Sequence, residues 1–331
     1  MKRGKAFSIV MATYTGANMI DAAFESLLKQ KPPRVSYELV VVIDGPSYEL
    51  RRKVENAQRI FKGKGIPLVF EQFTQNKGRF KARLAAAKQA KHPYILVVDD
   101  RVELPEDFLA LVSSMGEEIV MPDVKEKEPS NFVSLTLNRL RRKVYGSSWN
   151  ANFKPYYIDG SNFDKSPKGA TTLWVNRTKF IYACEQVAKS TKAIKNVNDD
   201  TRILKILVEN NNKIYKTSKL KISYSPRIAA RDELAHIYHR GPRFIDYYLH
   251  PGTRYFAPLL IFYILTPIII VVTIVLWPWP LLIVLLASLL GGVLTGIKTS
   301  EYLNITLGLW ALVLFFGAGL IVGLIKKVVP E

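Results

Sequence analysis

Residues 255–325 form a stretch of 71 positions in which only Lys298 and Glu301 carry charge, whereas residues 1–250 hold nearly all the rest. A chain divided this way folds against two solvents, water for the first part and lipid for the second. Three apolar runs stand out at 255–277, 281–297 and 303–325, each near the roughly 20 residues that cross a bilayer, with the middle one short. Trp277, Trp279, Tyr302 and Trp310 fall where interfacial aromatics belong. Three full crossings put Lys326 and Lys327 on the face opposite residues 1–250. The positive-inside tendency opposes that, so one run is a candidate re-entrant segment.

The formal net charge is +19, and all but +2 of it sits on the first 250 residues. Beside a bilayer such a body is drawn to anionic lipid and attracts diphosphates and lipid phosphates. Zinc-finger spacing, a basic heptad helix and aromatic RNA-binding signatures are missing, so nucleic acid is not an expected partner. The single cysteine, Cys184, rules out an intrachain disulfide and fits a reducing compartment. The basic N-terminus runs straight into a strand-like segment without the apolar core of a secretory leader, so no signal peptide is expected.

Within the first part, short β-branched runs alternate with helical periodicity. Strands are expected at 7–13, 37–43, 67–72 and 94–98, and helices at 18–30, 48–62 and 79–90. The runs are continuous rather than alternating, which suits a mostly parallel sheet buried on both faces, an α/β domain with its ligand at the carboxyl ends of the strands. Residues 122–169 are irregular apart from a helix at 132–145, and with Trp149, Tyr156 and Tyr157 they read as substrate-binding loops. Helices at 176–189 and 201–210 and one or two strands at 213–224 follow. Residues 232–249, rich in Arg, His and Tyr, read as an amphipathic helix in the membrane interface. The expected division is a catalytic domain over 1–230, an interfacial helix over 231–252 and a transmembrane region of about three helices over 253–331.

Asp44 and the pair Asp99-Asp100 fall at the ends of consecutive strand candidates. Acidic turn residues are common singly. Three at one sheet edge point to a nucleotide and a divalent cation, because a diphosphate needs its charge neutralised. His236 and His239 lie three apart without a third ligand and read as interfacial packing.

These segments resemble the family 2 inverting glycosyltransferases over about residues 7–250. The run from Ser8 to Tyr14 is similar to that family's opening strand and loop, and Val42-Ile43-Asp44-Gly45 to its second strand end. Asn76-Lys77-Gly78 with Ala82-Arg83 matches the nucleotide-side helix, and Asp99-Asp100 with the residues up to Leu109 the acidic metal-binding motif. Residues 169–177 resemble the acceptor-side segment, and Asn198-Asp199-Asp200 the Glu-Asp motif before a helix. Arg240-Gly241-Pro242-Arg243-Phe244 resembles the Gln-x-x-Arg-Trp motif of membrane polysaccharide synthases.

The resemblance implies a GT-A fold and an enzyme of the hexosyltransferase type. A nucleotide-diphosphate sugar would lie on Thr13, Tyr14, Asp44, Asn76, Gly78, Arg83, Asp99, Asp100 and Arg101. Asp200 would be the general base and Arg243 the stabiliser of the departing diphosphate. Trp149, Gly169 and Phe244 would lie on the acceptor side, and Asp100 would hold Mg2+ or Mn2+. Arg101 departs from the pattern, since the family usually has there the carboxylate that ligates the metal most directly. An arginine repels a cation and pairs with a diphosphate itself, so three readings stay open: a metal on Asp100 or Glu103, metal-free transfer, or an impaired site. The expected partners are a lipid-linked or glycan acceptor, membrane lipids and a second copy of the chain, with the catalytic domain on the cytoplasmic face of the cell membrane. The competing readings are a polyprenyl-phosphate glycosyltransferase making a one-sugar carrier, a scaffold or sugar sensor, and a nucleotidyltransferase.

Overall fold

The computed structural model describes residues 5–31, 35–127, 131–146, 153–191, 197–279, 282 and 299–328. They form two compact units, one of residues 1–127 with 145–226 and the other of residues 128–144 with 227–331.

The first unit is built on the β-branched runs. Strands β1 (Phe7–Thr13), β2 (Tyr37–Ile43) and β4 (Tyr94–Val98) are buried almost throughout, as strands covered on both faces must be. With β3 (Leu68–Gln72) they pair in parallel in the order β3-β2-β1-β4. Helices α1 (Ile20–Leu28), α2 (Tyr48–Gly63) and α3 (Arg79–Gln89) make the crossovers. Ser47 caps α2 by accepting from the Leu50 N–H at 3.3 Å. Phe24 and Phe61, on α1 and α2, meet edge to face at 6.0 Å within the core.

Beyond β4 the sheet becomes mixed. After β5 (Val102–Glu103) and α4 (Phe108–Ser114) come β6 (Ile119–Glu126), α5 (Phe132–Tyr145), β7 (Tyr156–Ile158), β8 (Thr172–Asn176), α6 (Arg177–Lys189), α7 (Asp199–Glu209) and β9 (Ile214–Tyr224). β8 enters antiparallel beside β4, and the order continues β8-β6-β9-β5, with β7 on β9. Periodicity did not separate β6 and β8 from the surrounding loops because β6 is interrupted by Pro122 and a shift of register after it, and β8 spans only five residues. Trp174 of β8 anchors the junction, stacked on Tyr94 at 5.2 Å and edge-on to Phe7 at 5.3 Å.

β9 also buries a cation. Lys216 donates to the Pro122 carbonyl at 2.5 Å and lies 5.7 Å from the Phe153 ring centroid. Burial pulls its pKa down to about 8, against the opposing pull of Asp123. The unfolded chain therefore binds more protons than the folded one between pH 8 and the ordinary value of 10.5. This contribution is fully present above 10.5 and is lost as pH falls through 8. On going from pH 10.5 to pH 7, the stability difference between Lys216→Met and the parent is expected to move by about 3 kcal/mol in favour of the variant. Denaturant unfolding of both proteins in detergent at the two pH values checks this.

The second unit contains α5 together with α8 (Ala230–Tyr248), α9 (Phe256–Val275) and α10 (Thr299–Val328). Grouping α5 with the apolar helices is a contact between distant parts of the chain that linear order does not display. α9 and α10 are long and apolar enough to cross a membrane, with mean hydropathies of 2.7 and 2.4. The middle apolar run, 281–297, lies outside the described residues except for residue 282.

Candidate active site

The site forms at the carboxyl ends of β1, β2 and β4, where parallel strands and their crossovers leave a crevice. Asp44 follows β2, and its Oδ1 accepts from the backbone N–H groups of Lys77 at 2.7 Å and Gly78 at 3.2 Å. Gly78, the N-cap of α3, holds φ +92°, a conformation that favours glycine, and its N–H turns to Asp44 rather than into the helix. The loop containing Asn76 is thereby fixed to the end of β2.

Asp100 is held from the other side. Thr13, the last residue of β1, donates its hydroxyl to Asp100 Oδ2 at 2.6 Å. Gly16 passes so close that an added Cβ would overlap the Asp100 carboxylate. Tyr14, between these two residues, is half exposed.

Behind these residues lies a cluster of ionised side chains. Arg83, only 2% exposed, donates through Nη2 to Asp99 Oδ1 at 2.5 Å and through Nη1 to Asp199 at 3.0 Å and Asp200 at 2.5 Å. Arg79, one helical turn earlier, takes Asp199 through two nitrogens at 2.7 and 3.1 Å and Asp200 at 3.1 Å. Three carboxylates thus face two guanidinium groups. Burial pulls both arginine pKa values down, yet Asp99, Asp199 and Asp200 outweigh it and hold both groups charged. Burial pushes the Asp99 carboxyl up against the pull of Arg83 and Arg79, and the neighbouring Asp200 adds to the push.

The α7 terminus explains how two carboxylates come to face this way. Asn198, not an aspartate, caps α7 by accepting from the Thr201 N–H at 3.4 Å. Asp199 and Asp200 occupy the first turn, where the helix dipole favours negative charge.

The sequence-expected residues divide in consequence. Thr13, Asp44, Asn76, Gly78 and Asp100 gather at the strand ends. Arg83, expected on the nucleotide, is instead buried against carboxylates, and Asp99 is taken up by Arg83. Arg101 follows Asp100 and carries a buried Nη1 with no acceptor among the described residues. Gly169 adjoins Ala170, whose carbonyl lies 3.4 Å from Arg83 Nη2. Trp149 lies outside the described residues. Arg243 and Phe244 belong to α8 in the second unit, where the Phe244 ring packs with Tyr248, Tyr255 and Phe316 at 4.3, 5.4 and 5.3 Å.

Sequence reading missed Arg79. A cation in the first turn of α3 opposes the helix dipole, and its spacing of four from Arg83 puts both on one face. Together these are the signal of a carboxylate partner.

No group of three His, Cys, Asp or Glu side chains able to cage a metal occurs among the described residues. The donor set fits a cation that takes most ligands from a diphosphate and water, with Asp100 supplying one oxygen. It does not fit a metal bound by protein alone.

The model of glycosyl transferase family 2 matches residues 8–177, half of the chain, including the strand ends with Asp44, Asp99 and Asp100 but not Asp199 and Asp200 of α7. The chain belongs to glycosyl transferase family 2. It is a glycosyltransferase with a GT-A-like fold. Among solved structures it is similar to residues 1–349 of S. aureus TarS in complex with UDP-GlcNAc. Identity is 17% and the TM-score 0.51, over 73% of this chain and 67% of that one. It is also similar to the mannosyltransferase PcManGT from Pyrobaculum calidifontis in complex with GDP-Man and Mn2+. There identity is 12% and the TM-score 0.53, over 99% of this chain and 88% of that one. At such identities the likeness is one of fold. A comparison with curated proteins found no match.

Two outcomes follow for this family 2 site. Gly16→Ala pushes the Asp100 carboxylate aside and is expected to cut turnover on the order of 100-fold while leaving the unfolding midpoint nearly unchanged. Arg83→Met leaves buried carboxylates without their cation and is expected to cost about 3–5 kcal/mol of stability. Steady-state kinetics and denaturant titration of the two variants check the contrast.

Proposed function

We propose that the protein is a membrane-bound inverting hexosyltransferase that moves a sugar from a nucleotide-diphosphate sugar to a lipid-linked or glycan acceptor at the cytoplasmic face. The carrying observation is the meeting of two sets of carboxylates: Asp44 and Asp100 at the strand ends, and Asp200 brought to Asp99 by Arg83.

In this reading Asp44 and the loop from Asn76 to Gly78 receive the nucleoside, while Thr13 and Tyr14 border it. Asp100 and Arg101 face the diphosphate. The spare Arg101 nitrogen supports that assignment, because a buried guanidinium N–H without an acceptor is costly unless a ligand supplies one. Mg2+ or Mn2+, when bound, neutralises charge on the diphosphate. Asp200 takes the proton from the acceptor hydroxyl as its oxygen attacks the anomeric carbon and the bond to the diphosphate breaks on the opposite face. An α-linked donor then gives a β-linked product. The segment around Gly169 and Trp149 receives the acceptor. The long chain between β6 and β8 favours a glycan or lipid-linked glycan over a bare polyprenyl phosphate.

The test is nucleoside diphosphate release from a panel of nucleotide sugars, with lipid extract as acceptor source and with Mg2+, Mn2+ or EDTA. Release from one donor is expected, falling at least 100-fold in Asp200→Asn with little change in donor KM. Loss of release on EDTA places a cation beside Asp100, and release that survives EDTA but falls in Arg101→Gln places the guanidinium in its stead. No release from any donor, or full activity in Asp200→Asn, contradicts the proposal and favours a scaffold or sugar sensor.

A further inference from the structure

α10 is apolar enough to cross a bilayer, but α5 touches its first part and α8 packs along its second. Near its start, Glu301 pairs with Arg139 of α5. A turn or two later, Gly308 lies against Thr136 and the Phe132 carbonyl, with no room for a Cβ. Thr136 Oγ1 lies 3.5 Å from the Ile305 carbonyl. Further on, Gly319 meets the Tyr238 carbonyl and Gly241 of α8, Gly323 meets Pro242 and Ile245, and Phe316 meets Phe244. At the far end Lys327 Nζ is 3.5 Å from His250 Nε2, just past α8. The contacts with α5 and α8 therefore span positions 301–327, about 39 Å of helix.

α5 and α8 are tied together near the middle of this line. The Asn131 side chain, at the start of α5, donates to the carbonyls of Arg227 at 3.0 Å and Ile228 at 3.3 Å, just ahead of α8. Gly308 and Gly319 are about 17 Å apart along α10, and the ten residues from Ile228 to Tyr238 supply about 15 Å if helical. α5 thus meets the first part of α10 at Arg139, Thr136 and Phe132, in the order opposite to α10, and α8 accompanies the second part in the same direction.

An upright α10 is incompatible with that arrangement in either orientation. With its C-terminus on the side of residues 1–250, α5 would carry Arg139, Arg141, Arg142 and Lys143 across the membrane and back. With its N-terminus there, α8 would itself become a span holding Arg231, Asp232, Glu233, Arg240, Arg243 and Asp246. At a helix centre each such residue costs about 2.5–3.5 kcal/mol.

We infer that α10 lies in the plane of the membrane on the cytoplasmic face, backed by α5 and α8. Leu303, Leu307, Leu314, Ile321 and Ile325 form its immersed stripe. All five are more than a third exposed and recur at helical spacing along one face, with Leu309, Val313 and Phe315 exposed at its flanks, while charged residues lie on α5 and α8 behind it. α9, by contrast, is only 6% buried in its apolar window and has the surroundings of a span. The chain leaves the cytoplasmic face at Tyr255 and is back on it by Glu301, so it crosses an even number of times. Read from sequence, the run 281–297 has nearly the length for the return. Lys326 and Lys327 then fall on the same side as Arg254 and His250, which satisfies the positive-inside tendency that three crossings violate. The inference rests on the chain being membrane-bound and not on its chemistry.

The test uses the full chain in liposomes, in a Cys184→Ala background, with nitroxide labels at Leu303→Cys, Leu307→Cys, Leu314→Cys and Ile321→Cys. Depth is read from collision with oxygen and with a water-soluble nickel chelate. The expected result is one shallow depth of about 5–10 Å for all four. Overturning results are a depth profile that deepens to Leu314 and becomes shallow again across about 27 Å, as an upright helix gives, or low oxygen collision at all four, as coverage by a second copy gives. A membrane-impermeant maleimide supplies the second reading. Ser300→Cys and Val328→Cys label from the same side of sealed vesicles if α10 lies in plane, and from opposite sides if it crosses.

Discussion

Arg83 is the point on which the first unit turns. A guanidinium buried to 2% exposure among Asp99, Asp199 and Asp200 joins the end of β4, the face of α3 and the first turn of α7. Each of these segments has its own reason to form and its own packing, and the ionic cluster ties all three together at the site. Breaking a buried pair from one side costs far more than forming it gains, so the cluster acts as a constraint on geometry rather than as a reserve of stability. Among the described residues, three carboxylates share two guanidinium groups, so each side chain of the cluster is fixed by more than one partner.

The same economy of placement governs the strand ends. Asp44 is turned inwards by two backbone N–H groups and Asp100 by the Thr13 hydroxyl. Each carboxylate is therefore oriented before any ligand arrives. Arg101 is the exception, with a buried donor awaiting an acceptor. In the proposed function a diphosphate supplies that acceptor.

The parallel half of the sheet was legible because its strands are long β-branched runs and its helices keep a clean period. The carboxylates at the strand ends were legible from order alone. What was not legible depends on distance. β6 and β8 gain strand character from pairing with β9 and β4 rather than from their own pattern. Arg83 matched a ligand-binding position by motif, but its burial depends on α7, more than a hundred residues away. α10 shows the same limit in another form. Hydropathy recognises an apolar helix without its neighbours, so contacts with α5 and α8 had to be seen before its orientation could be argued.

The proposal that Asp200, held beside Arg79 and Arg83, is the general base is open to one direct measurement, the pH dependence of kcat/KM for the parent and for Arg79→Gln. Arg79 is 36% exposed on its side chain, so the substitution spares the core while removing a cation 3.1 Å from Asp200. With that cation gone, protonation of the carboxylate becomes easier. The acid limb of the profile is then expected to move to higher pH, with the plateau recovered where the base is again ionised. An acid limb that stays in place while the plateau falls would contradict the account, leaving Arg79 as a structural support and the base elsewhere.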